Sequence, residues 1–232
     1  MSGHRLRLVS AIAFAAALLL LMPLQLVLPR LALPPGLSAT EIRGSLWRGE
    51  LRGLHWRGAE LGDIRTALSP LHLATGRQRL RLRAPTARLA LEAGRLRGID
   101  DAHGVLPLPP LPGLALRAAF EDARLLFDAE GCREAGGRMR IEAALPGDAL
   151  PPVVLAGTPA CSGRTGILAL ASEDAASPLR LEATLSIETD GQYTLQSLAR
   201  SDDPAVRTGL LLAGFQEAPG GLSRVDTGQL AD

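Results

Sequence analysis

From residue 36 onward the chain alternates apolar and polar residues with period two, broken by Gly and Pro. That is the pattern of strands whose successive side chains point to opposite faces of a sheet. In the longest run, residues 179–188, Leu179, Leu181, Ala183, Leu185 and Ile187 fall on one face, with Arg180, Glu182, Thr184, Ser186 and Glu188 on the other. Residues 79–84 set arginines against Leu80, Leu82 and Ala84, residues 86–92 set Ala87, Leu89 and Leu91 inward, and Met139, Ile141 and Ala143 alternate with Arg138, Arg140 and Glu142. Weaker runs at 37–42, 50–56, 64–68, 114–120, 166–171, 192–197 and 222–227 predict further strands. Each run has one apolar and one wet face, as in an antiparallel sheet covered on one side. Leu and Ala prefer helices, so these strands rest on periodicity and not on propensity. One helix is predicted: Asp202-Asp203-Pro204 supplies an acidic cap and a Pro at the first helical position, and Gly214 ends it after about Ala213. Residues 105–113, VLPLPPLPG, read as a link between two portions of the sheet, because Pro removes the backbone donor that a strand or helix interior needs.

Ahead of the alternation, residues 8–28 carry no charge over 21 positions, long enough at about 1.5 Å per residue to cross a hydrocarbon core of roughly 30 Å. The expected organisation is a cytoplasmic start (1–7), a transmembrane anchor (8–28) and a periplasmic β-rich domain (37–232). A cleaved signal peptide is the competing reading, disfavoured because Leu31-Ala32-Leu33 before Pro34-Pro35 is a poor cleavage site. Arg5 and Arg7 favour a cytoplasmic N-terminus, although Arg30, Arg43, Arg48 and Arg52 follow the apolar stretch closely. Cys132 and Cys161 are the only cysteines, which suits one disulfide in an oxidising compartment, against the alternative of two small buried thiols.

Composition changes the picture little. Every Lys-or-Arg position is Arg, and the formal net charge is +1, so no excess of positive charge points to nucleic acid. The four histidines, His4, His55, His72 and His103, are scattered and form no ligand spacing, so no metal is expected. Nucleophile-elbow, phosphate-cradling and dinucleotide motifs are absent. Neighbouring acids such as Glu121-Asp122 and Glu173-Asp174 point to opposite faces of a strand and cannot share a proton. The expectation is a non-catalytic protein without a cofactor.

The densest pattern is Gly44-Ser45-Leu46-Trp47-Arg48-Gly49, followed by Leu54-His55-Trp56, Leu61-Gly62-Asp63-Ile64 and Leu68-Ser69-Pro70-Leu71. It suits a meander with glycine turns whose strands bury the indoles. Trp47 and Trp56 therefore read first as packing, and secondly as residues at a membrane interface or on a partner surface. This stretch resembles the type II secretion system protein N family, with its G-x-L-W-x-G motif (Gly44, Leu46, Trp47, Gly49) and its L-G-x-[VI]-x-W-x-L-x-P-L motif (Leu61, Gly62, Ile64, Leu68, Pro70, Leu71). Thr66 departs from the second motif, standing where the family usually has Trp. The segments around Cys132 and Cys161 also look like the paired cysteine regions in a branch of the family. The resemblance implies an accessory inner-membrane component for export of folded proteins from the periplasm across the outer membrane. Its partners would be the secretin or inner-membrane platform proteins, and it implies no catalytic residue. The family is also similar to AsmA-like proteins, which implies a curved, twisted sheet and a rival function in lipid binding or transfer.

Overall fold

The computed structural model describes residues 36–70, 72, 75–111, 114–144, 152–174 and 177–230. The expected cytoplasmic start and anchor, residues 1–28, lie outside the described residues, and among those described no helix is long and apolar enough to cross a membrane. Among the described residues fifteen strands join in one sheet. In chain order they are β1 (Leu37–Ser38), β2 (Glu41–Ser45), β3 (Arg48–Trp56), β4 (Ala59–Leu68), β5 (Arg77–Arg83), β6 (Ala87–Gly94), β7 (Arg97–Leu111), β8 (Leu114–Phe127), β9 (Cys132–Ala144), β10 (Val153–Ser162), β11 (Thr165–Ser172), β12 (Arg180–Ile187), β13 (Gln192–Arg200), β14 (Gln216–Ala218) and β15 (Gly221–Gln229). The helix α1 (Pro204–Leu212) connects β13 to β14. Each strand from β3 to β13 pairs antiparallel with the next in the chain, and β15 then inserts between β13 and β14.

Periodicity placed all the strands but β7, β10 and β14. The predicted strand at 37–42 is split into β1 and β2, which lie along β3 in one register and are interrupted opposite Gly53 (φ 55°). The helix starts as expected: Asp203 Oδ1 accepts from the amides of Ala205 and Val206, Pro204 occupies the first turn, and Gly214 follows the end at φ 89°.

Residues 105–111 are strand and not linker, which corrects the reading of the Pro-rich segment. The Val105 amide donates to Thr86 O, away from β8. Two residues on, Pro107 directs its donor-less nitrogen to that same side, and the β6 ladder has already ended at Gly104. Pro109 and Pro110 fall in a register shift between Leu108 and Leu111. No ladder bond is therefore lost to a proline. β10 escaped sequence reading for the same reason: its Pro159 lies beyond the Gly157–Met139 pair that ends the β9 ladder, with only β11 beside it.

Among the described residues the apolar face carries two buried clusters, with Ala199 and Leu222 buried beyond them. Leu51, Leu54 and Ile64 form one core, with Leu46 and Leu82 against them, and Leu155, Leu168, Leu170 and Ala183 form the other, flanked by Met139 and Ile141. Between them runs a transverse row of directly opposed residues, Leu68, Leu80, Leu91, Ile99 and Leu125, of which Ile99 is 41% exposed. The other face is not uniformly wet, a second correction. Glu92 has a fully buried side chain, because Arg79 stands directly opposite it and places Nη1 3.1 Å from Oε1, with Arg77 Nη2 at 3.5 Å. Arg79 also reaches Asp100 at 2.7 Å. The cation above the carboxylate offsets the cost of taking it out of water.

Cys132 and Cys161 form a disulfide with a Cα–Cα distance of 5.5 Å. It ties the β8–β9 hairpin to the β10–β11 hairpin where the β9–β10 ladder is no longer paired, and the Cys132 amide donates to Arg164 O across the same gap. Closing a 29-residue separation restricts the unfolded chain. Replacing both cysteines by Ser is expected to lower unfolding free energy by roughly 3 to 4 kcal/mol, read from urea titrations of the two forms under oxidising conditions.

Candidate functional site: the tryptophan hairpin and the arginine face

Gly44 and Gly49 are directly paired across the β2–β3 hairpin, and Leu46 and Trp47 form its two-residue turn. Gly44 sits at φ 86°, and a Cβ there would lie 2.3 Å from the Arg48 carbonyl oxygen. The G-x-L-W-x-G spacing is thus that of a tight hairpin whose strands approach too closely for a side chain. Leu46 turns into the N-terminal core, Gly49 is buried, and Trp47 is half-buried. Trp56 lies at the opposite end of β3, paired with Leu37 and Ala59, and its buried Nε1 finds no acceptor among the described residues. The two indoles therefore do not meet.

The second motif shapes the neighbouring strand. Gly62 (φ 74°) faces Leu54 where the β3–β4 register shifts, and Asp63 Oδ1 accepts the Gly53 amide at 2.9 Å, fixing the bulge. Leu61 and Ile64 pack into the core. Thr66 pairs with Gly49 and Leu82 on the apolar face and is 4% exposed, with no partner for its hydroxyl among the described residues. Pro70 is exposed just after β4.

The family model for the type II secretion system (T2SS), protein N, matches residues 35–224. The chain belongs to that family. No curated protein and no solved structure matches it. As a type II secretion system protein N, it is an accessory component of the secretion machinery.

Two constellations in this protein N were missed by sequence reading. The first is a cleft of about 570 Å³ beside the hairpin, lined by Arg43, Arg48, Arg65, Arg81 and Arg83 around Glu50 and Ala67. Those arginines come from four strands, so only the sheet register brings them together; the alternation in residues 79–84 was its one visible trace. The second is His103, whose Nε2 lies 3.0 Å from Asp101 Oδ1 and 2.8 Å from Asp122 Oδ1. Asp101 and Asp122 both adopt φ 52°, at the register shifts of β7 and β8. One atom from each of the three lies within 4.8 Å of the others, a hydrogen-bonded cluster whose donor atoms are of metal-ligating type.

The hairpin geometry yields a test. Gly44→Ala is expected to cost about 2 to 3 kcal/mol, from the positive φ and the displaced Arg48 carbonyl. Gly163→Ala, at φ 59° with nothing within 4 Å of the added methyl, should cost about 1 kcal/mol. Urea midpoints of the two variants measure the difference; equal losses would rule out the close approach as the reason for Gly44.

Proposed function

We propose that this protein N is a single-pass inner-membrane subunit that supports export by binding other secretion components, with residues 1–7 cytoplasmic, 8–28 spanning the bilayer and 37–232 periplasmic. The family match over residues 35–224 carries this reading, with the uncharged stretch at 8–28 ahead of it. The disulfide supports a periplasmic location, since such bonds persist in oxidising compartments.

The far edge of the sheet supports protein–protein contact. β14 covers only Gly221–Ser223 of β15, leaving the rest of β15 with an open side among the described residues. Val225 there is 61% exposed, and Leu212 of α1, a helix with no buried residue, is 86% exposed. Arg224 holds this edge in shape by donating to Asp226 Oδ1 at 2.6 Å and to Ala213 O at 2.6 Å behind the helix; the Asp226 bond raises the guanidinium pKa further. An open strand flanked by exposed apolar residues suits strand addition by a secretin or platform protein. The hairpin residues Gly44, Leu46, Trp47 and Gly49 shape the opposite edge, while Trp56 lies at the far end of β3, Gly62 at the β3–β4 bulge and Pro70 just after β4.

One observation favours lipid handling as a second reading. The row from Leu68 to Leu125 is apolar, transverse and only partly buried, and could accept acyl chains.

A photo-crosslinker placed at Val225 in cells is expected to capture a secretin or platform component. Phospholipid recovered in stoichiometric amount, with no such component captured, would replace this reading by lipid handling.

A further inference from the structure

The outer face of β2–β7 carries a transverse row in direct register: Arg43, Glu50, Arg65, Arg83, Arg88 and His103. Three arginines, Arg65, Arg83 and Arg88, are consecutive in it, spanning about 10 Å at the usual strand spacing. Arg81, two residues before Arg83, and Arg48 flank the small Ala67 beside them in the cleft. All five are exposed, and among the described residues none has a carboxylate within 4.0 Å, while Glu50, the acid in the row, is taken by Arg52 at 3.3 Å. The adjacent rows differ: Arg77 and Arg79 are matched to Glu92, Asp100 and Asp101. Like charges directly opposite each other across strands are destabilising. A sheet that neutralises one set of arginines and, among the described residues, leaves the next set with no carboxylate within 4.0 Å is arranged for an anion supplied from outside.

We propose that this arginine face is a docking site for an acidic segment of a protein partner, its carboxylates held by Arg65, Arg83 and Arg88 with Arg48 and Arg81 at the side. Guanidinium groups suit this because their donors match carboxylate geometry bidentately. Two features favour a protein over a bilayer surface. The face offers only small apolar residues, Ala67 and Ala90, between the arginines, whereas a membrane-binding face pairs cations with large inserting side chains. The described chain also joins the sheet at the other end of β3, where the Arg57 amide donates to Gly36 O, about 20 Å along the strand from Glu50. The inference rests on the reading of this protein as a protein-binding secretion subunit and adds the chemistry of one partner.

The test uses the purified full chain in detergent, a fluorescein-labelled oligo-glutamate peptide, and vesicles of phosphatidylglycerol in phosphatidylcholine. A triple variant, Arg65→Gln, Arg83→Gln and Arg88→Gln, is compared with a control of equal charge change, Arg95→Gln, Arg164→Gln and Arg180→Gln. The wild type should bind the peptide with steep salt dependence, the triple variant about tenfold more weakly, and the control little changed. The triple variant should unfold at the same or a higher urea concentration, because the opposed charges are relieved; a purely structural row would lose stability instead. No affinity for the peptide, equal loss in both variants, lower stability of the triple variant, or binding to the anionic vesicles in place of the peptide would each overturn the proposal. If the Val225 crosslinks appear while peptide binding fails, only the arginine site falls; if those crosslinks are absent too, the secretion-subunit reading falls with it.

Discussion

Among the described residues the backbone ladder of a single sheet carries the molecule. Each strand from β3 to β13 is held by its neighbours on both sides, while among the described residues α1 contributes no buried residue and no second layer faces the sheet. A single layer gives few positions from which water is fully excluded, and most apolar side chains here are therefore only partly buried. Cohesion falls to hydrogen-bonded pairing and to rows of side chains that touch across strands. The disulfide extends this principle past the point where pairing stops, substituting a covalent link for the missing β9–β10 rungs.

The same constraint creates the surfaces through which the protein can act. Among the described residues no second layer covers either face, and the faces and edges each have a distinct chemistry. The inner face has two apolar cores separated by a half-open leucine row. The outer face has a neutralised ionic cluster around Glu92 next to an uncompensated arginine row. The β15 edge is open beyond its short cover strand. An accessory subunit of a secretion machine needs such surfaces more than it needs a catalytic cleft, and membership of the protein N family agrees with that economy.

Bulges place the chemistry within this layer. The register shift around Gly53, Gly62 and Asp63 shapes the meander next to the tryptophan hairpin, and those in β7 and β8 turn Asp101 and Asp122 toward His103. Strict alternation already sets Asp101 on the face of His103 but would send Asp122 to the other, and the bulge brings both carboxylates to one ring nitrogen.

The sequence by itself determined most of the strands, though not β7, β10 or β14, together with the helix cap at Asp203, the hairpin glycines and the family, because each depends on local periodicity, turn geometry or a compact motif. The pairing of Cys132 with Cys161 was also legible, since no other partner exists in the chain. Tertiary structure decided what register decides. Pro107 is tolerated in β7 because its nitrogen faces the side where the β6 ladder has ended, a fact no window around VLPLPPLPG contains. Glu92 is buried because Arg79 stands opposite it, and Arg65, Arg83 and Arg88 form a row because the β4–β5 and β5–β6 pairings share one register. Alternation fixes the face to which a side chain points, but its neighbour on that face comes from a strand that only the folded sheet supplies.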